Sequence, residues 1–327
     1  MEMKDKELKR TISELKELAH RERLNIHDEI RLLESKLLNN GPHNNNAWQK
    51  VKLARMVERP TALDYINLIF DDFFELHGDR VFSDDPAMIG GIALLNGKPV
   101  TVIGQQHGHN LKENLRRNGG MALPDGYRKA LRLVKQAEKF GRPVVSLVDT
   151  GGAYPGVAAE ERGIGEAIAR NLREFFALKV PIVVVVIGQG GSGGALGIAI
   201  GDVVFMLENA IYSVISPEGC VSILLRDGSK AEFAASIMKL TARDLLGFGI
   251  IDEIVEEPEG GAHHNPDVAA ANVKSAIVKA LDRLIAKPKD QLLKERFEKF
   301  RRMGVYYEKQ EKKKGLLRRI FGRKKNQ

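Results

Sequence analysis

Pro181–Ile187 reads PIVVVVI and runs straight into Gly188–Ala195, GQGGSGGA; earlier in the chain Pro143–Val148 reads PVVSLV and runs into Asp149–Gly156, DTGGAYPG. The two stretches share one pattern. A short, almost unbroken β-branched run is what a strand buried on both faces requires, since neither face can carry polar side chains. A glycine-rich turn follows each run, and a helical pattern follows each turn: Ala158–Leu178 after the first, a short string of small residues after the second. Strand, glycine turn and helix, repeated, predict an α/β architecture.

Working outward, Met88–Leu95 and Pro99–Ile103 flank Asn96-Gly97, a strong hairpin signal. Asp125–Phe140 has helical spacing and Gly141 ends it. Val203–Leu207, Tyr212–Ile215 and Ile250–Val255 read as further strands, and 229–240, 241–247 and Pro266–Ala286 as helices. The core domain is therefore expected over 59–286. Ahead of it, Leu8, Ile12, Leu15 and Leu18, then Ile26, Ile30, Leu33 and Leu37, recur at helical spacing. With the 41–46 loop, GPHNNN, they make 1–58 an N-terminal helical arm and linker, packed on its own body or clasping a second subunit. Residues 287–327 form a basic tail, helical or disordered.

Composition narrows the function classes. The chain has 327 residues, 43% hydrophobic and 29% charged, enough apolar content for a sizeable core. Aromatics at 6% beside 32 glycines argue against base stacking on nucleic acid and for close backbone packing. Cys220 is the one cysteine, which excludes an internal disulfide framework and a cysteine metal cage. The opening MEMKDKELKR is too charged for a signal peptide, and no apolar run approaches the roughly 18 residues of a membrane span, so a cytoplasmic protein is expected. The net charge of +8 resides in the tail, where 287–327 hold 16 Lys and Arg against 5 Asp and Glu. That tail is a solvated end or a contact for nucleic acid or an anionic membrane.

The chemistry points to the two glycine turns. Main-chain N–H groups at the start of a helix can hold an anionic oxygen, and glycine lets the ligand approach them. Two such turns in matching positions suggest a functional pair. Gly190-Gly191-Ser192-Gly193-Gly194 also satisfies the nucleophile-elbow pattern, so a serine hydrolase using Ser192, with Asp227 or Asp252 and His263 or His264, is the alternative. No Gly-Lys-Ser/Thr phosphate loop is present. His107-Gly108-His109 has metal-pair spacing on a strand but no further ligand, which favours a structural or substrate-contacting role. Arg116-Arg117 and Arg128-Lys129-Arg132 make a basic cluster suited to an anionic cofactor.

At these residues the sequence resembles the alpha subunits of bacterial acetyl-CoA carboxylase carboxyltransferases. The matching stretches are RPTALDYINLIFDDFFELHGDR (59–80), PDGYRKALRLVKQAEKFGRP (124–143), DTGGAYPG, AAEERG, EAIARNLRE, GGSGGAL, YSVISPEG and IIDEI, spanning about 50–265. The resemblance implies a crotonase-like (ClpP/crotonase) spiral of repeated ββα units. It implies transfer of the carboxyl group of carboxybiotin, held on a carrier protein, to acetyl-CoA, giving malonyl-CoA for fatty acid biosynthesis. It implies partners: a carboxyltransferase beta subunit in an alpha2beta2 heterotetramer, the biotin carboxyl carrier protein, and a biotin carboxylase that alone uses ATP. The family's zinc ribbon lies in the beta subunit, so no metal is expected here. A related carboxyltransferase for a longer acyl-CoA is a further alternative. The chain departs from the family pattern at Gly151, Ile164-Gly165 and Gln189. Gly193 and Gly194, helped by Gly152 or Ala153, are the expected catalytic donors. Gly190, Gly191, Ser192, Tyr154, Pro155 and Arg128 are the expected cofactor contacts. Such a site needs no side-chain base, which accounts for its being written in glycine.

Overall fold

A computed structural model describes residues 46–304. The helical arm expected from the spacing of Leu8 to Leu37, and the basic run after residue 304, lie outside the described residues.

The elements alternate as the buried runs demand. In chain order they are α1 (Asn46–Ala54), α2 (Ala62–Ile69), β1 (Asp71–Glu75), β2 (Met88–Leu95), β3 (Lys98–Gln105), α3 (Leu111–Arg116), α4 (Pro124–Phe140), β4 (Val144–Thr150) and α5 (Val157–Glu161). There follow α6 (Ile164–Ala177), β5 (Ile182–Gly191), α7 (Ser192–Leu196), β6 (Val203–Leu207), β7 (Ile211–Ser213), α8 (Pro217–Leu224), α9 (Ala231–Ile237), α10 (Ala242–Gly247), β8 (Glu253–Val255), α11 (Pro266–Ile285) and α12 (Lys289–Arg301). Among the described residues no helix is long and apolar enough to cross a membrane.

The strands form one mixed sheet in the order β1-β2-β3-β4-β5-β6-β8, with β7 paired to the end of β5. Asn96 (φ 50) and Gly97 (φ 74) are both left-handed, the turn a tight hairpin needs, so β2 and β3 pair antiparallel. From β3 onward every pairing is parallel. Residues of β4 and the first seven of β5 are buried throughout, as their β-branched runs predict. The two faces are covered separately. Ile103 shares a face with Leu133 of α4, while its neighbour Gly104 faces Ala62 of α2. α6 packs beside α4, and α11 beside α2.

Three expectations are corrected. The single helix expected over Ala158–Leu178 is two, because Gly163 (φ 78) takes a left-handed conformation between α5 and α6. The strand expected to stop at Ile187 continues through Gly191, since Gln189, Gly190 and Gly191 pair with Ile211, Tyr212 and Ser213. The strand expected over Ile250–Val255 begins only at Glu253: Gly249 (φ 68) and the Ile250 N–H bond to the Leu245 carbonyl (2.9 Å) still belong to the end of α10. β1 was missed altogether, because its sequence, DDFFE, is mostly exposed and does not alternate.

Residues 289–301 of the basic segment form α12, tied down by Arg296. That side chain is 1% exposed and donates to both Asp202 oxygens (2.8 and 2.7 Å) and to the Phe175, Leu178 and Val180 carbonyls.

Candidate functional site

β4 and β5 are neighbours, so their carboxyl ends bring both glycine turns together, at the end of a parallel sheet where ligands characteristically bind. The contact is backbone to backbone. A methyl carbon added at Gly191 would lie 2.3 Å from the Gly151 carbonyl, and one added at Gly194 would lie 2.3 Å from the Ala153 nitrogen. Real Cβ atoms do not approach so closely, so a side chain at either position would force the two backbones apart.

The fate of each amide decides what the turns can bind. β5 ends at Gly191 and α7 starts at Ser192, which places the N–H groups of Gly193 and Gly194 in a first helical turn, where no intrahelical acceptor exists. No side chain among the described residues accepts from either. The Ala153 N–H has no acceptor among the described residues. The Gly152 N–H is spent: it donates to Thr150 Oγ1 (3.1 Å), whose hydroxyl donates back to the Gly152 carbonyl (2.7 Å). A small cleft lined by Thr150, Gly151, Gly190, Gly191 and Ser192 opens beside the turns, with Arg55 and Gln189 at its wall.

The remaining expected contacts divide. Gly190 is pressed against the Tyr212 ring, where a Cβ would meet it at 2.6 Å. Tyr154 is half-buried with its ring over Gly156, and its N–H donates to the Ala122 carbonyl (3.1 Å), while Pro155 is exposed. Arg128 lies apart, its three nitrogens committed to Asp79 (2.8 Å), Asp125 (2.6 Å) and the Arg162 carbonyl (3.1 Å), so it braces α4. Gln189, one of the departures from the family pattern, accepts from Arg55 Nε (3.1 Å), and the other end of that guanidinium grips Glu218 (2.7 and 3.2 Å).

Ser192 has φ 50, the left-handed backbone of a nucleophile elbow, yet the triad is not assembled. Its hydroxyl has no hydrogen-bond partner among the described residues. His263 and His264 pack on Gly261 and Gly260, Asp227 caps Ser229, and Asp252 binds Lys299 and the Val204 N–H. His107 and His109 do not converge either: Asp149 holds the first (2.8 Å) and Asp64 the second (2.8 Å).

Sequence reading missed the scaffold beneath the glycines. The Gly194 carbonyl accepts from Gln105 Nε2 (2.7 Å) and from the buried Tyr127 hydroxyl (3.0 Å), and Asp149 accepts the Gln189 N–H (2.8 Å). The available signal was Gln105-Gln106-His107 at the carboxyl end of β3, polar residues where a strand enters the ligand edge of a parallel sheet.

A family profile described as acetyl co-enzyme A carboxylase carboxyltransferase-like matches residues 1–304. A curated protein of Treponema denticola named acetyl-coenzyme A carboxylase carboxyl transferase subunit alpha is 55% identical over 94% of this chain and 100% of its own length. A protein of the same name from Staphylococcus haemolyticus is 55% identical over 93% of this chain and 97% of its own. Among solved structures, a transcarboxylase 12S with methylmalonyl-coenzyme A bound matches 76% of the chain at a TM-score of 0.59 and 20% identity, the match spanning 46% of that longer chain. A Pseudomonas malonate decarboxylase hetero-tetramer with coenzyme A matches 65% of this chain and 85% of its own at a TM-score of 0.55 and 17% identity. At such identities the solved structures speak for the fold alone, and they agree with the crotonase-like architecture that the family resemblance implies.

Proposed function

The chain belongs to the acetyl co-enzyme A carboxylase carboxyltransferase family, and from that premise we infer how its glycine site serves carboxyl transfer in acetyl-CoA carboxylation. The enzyme is a transferase acting on an acyl-CoA, and the chain is an alpha subunit, so it works within a complex.

The finer reading is that the two glycine turns bind the biotin end of the reaction. Carboxybiotin on a carrier protein supplies the activated carboxyl group, and the charge left when that group departs falls on the ureido oxygen. The N–H groups of Gly193 and Gly194 hold that charge, with Ala153 as the third donor. Gly152 contributes shape instead, because its amide is tied to Thr150. Fixed donors cost no reorganisation as charge develops, and the loss of one such donor typically costs about 10²–10³ in kcat. The hydrogen bonds on the Gly194 carbonyl lock the peptide plane that follows. Ser192 is a small spacer within the second turn. The acetyl-CoA side and the closure that keeps water out fall to a beta subunit, in an alpha2beta2 assembly served by a biotin carboxyl carrier protein and a biotin carboxylase.

The observation that carries this reading is the pair of first-turn amides at the start of α7, where no intrahelical acceptor exists, backed onto the 151–153 backbone at the carboxyl edge of the sheet. Gly193 permits a clean test. A Cβ there has nothing nearer than Ile168 Cδ1 at 4.0 Å, so Gly193→Val keeps the fold while its side chain obstructs the amides. The variant, co-purified with a beta subunit, is expected to assemble normally and to lose malonyl-CoA formation by about 100-fold or more. Wild-type turnover by the assembled Gly193→Val complex would refute the role of the amides.

A further inference from the structure

We propose that His107 is a positioning residue, whose ion pair with Asp149 holds both glycine segments in the register that presents the Gly193 and Gly194 amides. This rests on the reading of those amides as the donors that bind charge.

Asp149 is the junction of the site. It is the second-last residue of β4, is 3% exposed, and is contacted by Gln105 of β3, by His107 beyond it and by Gln189 of β5. Its Oδ2 meets His107 Nε2 at 2.8 Å, and its Oδ1 accepts the Gln189 N–H at 2.8 Å. Its own N–H donates to Gln105 Oε1 (3.2 Å), and the other end of that side chain, Nε2, donates to the Gly194 carbonyl (2.7 Å). Gly188 rests directly on the carboxylate, where a Cβ would lie 2.4 Å from Oδ1. Movement of Asp149 is therefore transmitted to the start of the glycine turn through Gln189, held by its carboxylate, and to the end of that turn through Gln105, held by its main-chain N–H.

A buried carboxylate stays in place only if a cation or enough donors hold it, and an unpaired one is strongly destabilising. His107 supplies the cation, with a side chain 19% exposed. Arg59, which also lies near Asp149, is committed to Glu257 and the Ile187 carbonyl. Asp64 of α2, itself bound by His109 and Thr61, adds a second negative charge facing the imidazole, and Tyr65 is a further titratable group near Asp149. Burial by itself lowers the His107 pKa, but the Asp149 charge and hydrogen bond outweigh it and raise it from 6.5 to about 9. The cation is thus present at neutral pH and is lost as pH rises through about 9. The neutral ring that remains still donates from Nε2 but leaves Asp149 charged and uncompensated, which loosens the junction without unfolding it.

The test uses the complex assembled with a beta subunit, comparing wild type, His107→Gln and His107→Lys across about pH 7–10. His107→Gln keeps a donor but removes the charge. It is expected to lower kcat about tenfold at neutral pH with KM for acetyl-CoA little changed, and to lack the alkaline fall of the wild type. His107→Lys is expected to restore most of the lost kcat and to move the fall upward, towards the lysine range near about 10.4. A second measurement needs no variant: amide exchange over 188–195 in the wild-type complex, corrected for its intrinsic base dependence, is expected to accelerate as His107 deprotonates. An active wild type whose His107→Gln form keeps its kcat and alkaline profile, or a glycine segment equally protected on both sides of that transition, overturns the proposal. A wild-type complex that forms no malonyl-CoA would instead overturn the functional reading on which it rests.

Discussion

Gly193 and Gly194 are indistinguishable as letters, yet they face opposite surroundings. Gly193 looks into open space, whereas a Cβ on Gly194 would strike the Ala153 nitrogen and the Gly152 carbonyl carbon, each at 2.3 Å. Those are backbone atoms, so no side chain can swing aside. Gly194→Ala is expected to lower stability by about 1–3 kcal/mol through overpacking, read as a fall in Tm of the isolated chain. Gly193→Ala is expected to leave Tm almost unchanged. An equal Tm for the two alanine variants would mean that the turns do not touch as described. The pattern GGSGG announced close approach to something, but which glycine meets ligand and which meets its own chain depends on the neighbouring turn.

α12 illustrates what a helix can do beyond burying an apolar face. Its sequence, KDQLLKERFEKFR, is so charged that it reads as a solvated end, and only Leu292 and Arg296 are buried on it. Arg296 nevertheless fills the gap at the end of α6, donating to the Phe175 and Leu178 carbonyls of its last turn, where the negative end of the helix favours a cation, and pairing with Asp202 just before β6. Arg296→Ala would strand the nearly buried Asp202 carboxylate. It is expected to cost about 3–5 kcal/mol, measured as the midpoint shift in urea unfolding, whereas Arg302→Ala, on an exposed side chain, is expected to cost less than about 1 kcal/mol. Similar losses from the two variants would count against the proposed anchoring.

Across the whole molecule, Arg59 and Glu257 close the fold between distant parts of the chain. The pair is almost wholly buried, at 2% and 0% side-chain exposure, and Arg59 also donates to the Ile187 carbonyl of β5 (2.9 Å). Burial would raise the Glu257 pKa, but the Arg59 hydrogen bond and charge, with the Asn209 N–H, hold it below 4.5. A carboxyl depressed in the fold stabilises it above its unfolded value, and that contribution disappears as pH falls through the folded value. The Tm of the chain is therefore expected to be level in this respect near neutrality and to decline below about pH 4.5. Glu257→Gln is expected to be less stable at neutral pH and to show a shallower acid decline. An acid profile identical to that of the wild type would exclude this pair as a source of acid lability.

PVVSLV and PIVVVVI determined that two adjacent strands would be buried on both faces, because only such burial makes unbroken β-branched runs favourable. Asn96-Gly97, Gly141 and the glycine turns likewise fixed local geometry, since hairpin turns, helix ends and close backbone approach are settled by residue type over a few positions. The long family-like stretches carried the assignment of the reaction. Tertiary structure alone decided that the Gly152 amide is spent on Thr150, that Arg128 braces a helix, and that Asp149, Gln105 and His107 meet beneath the glycines. Those outcomes rest on hydrogen bonds between residues far apart in the chain, and a local pattern holds no record of which distant donor reaches which acceptor.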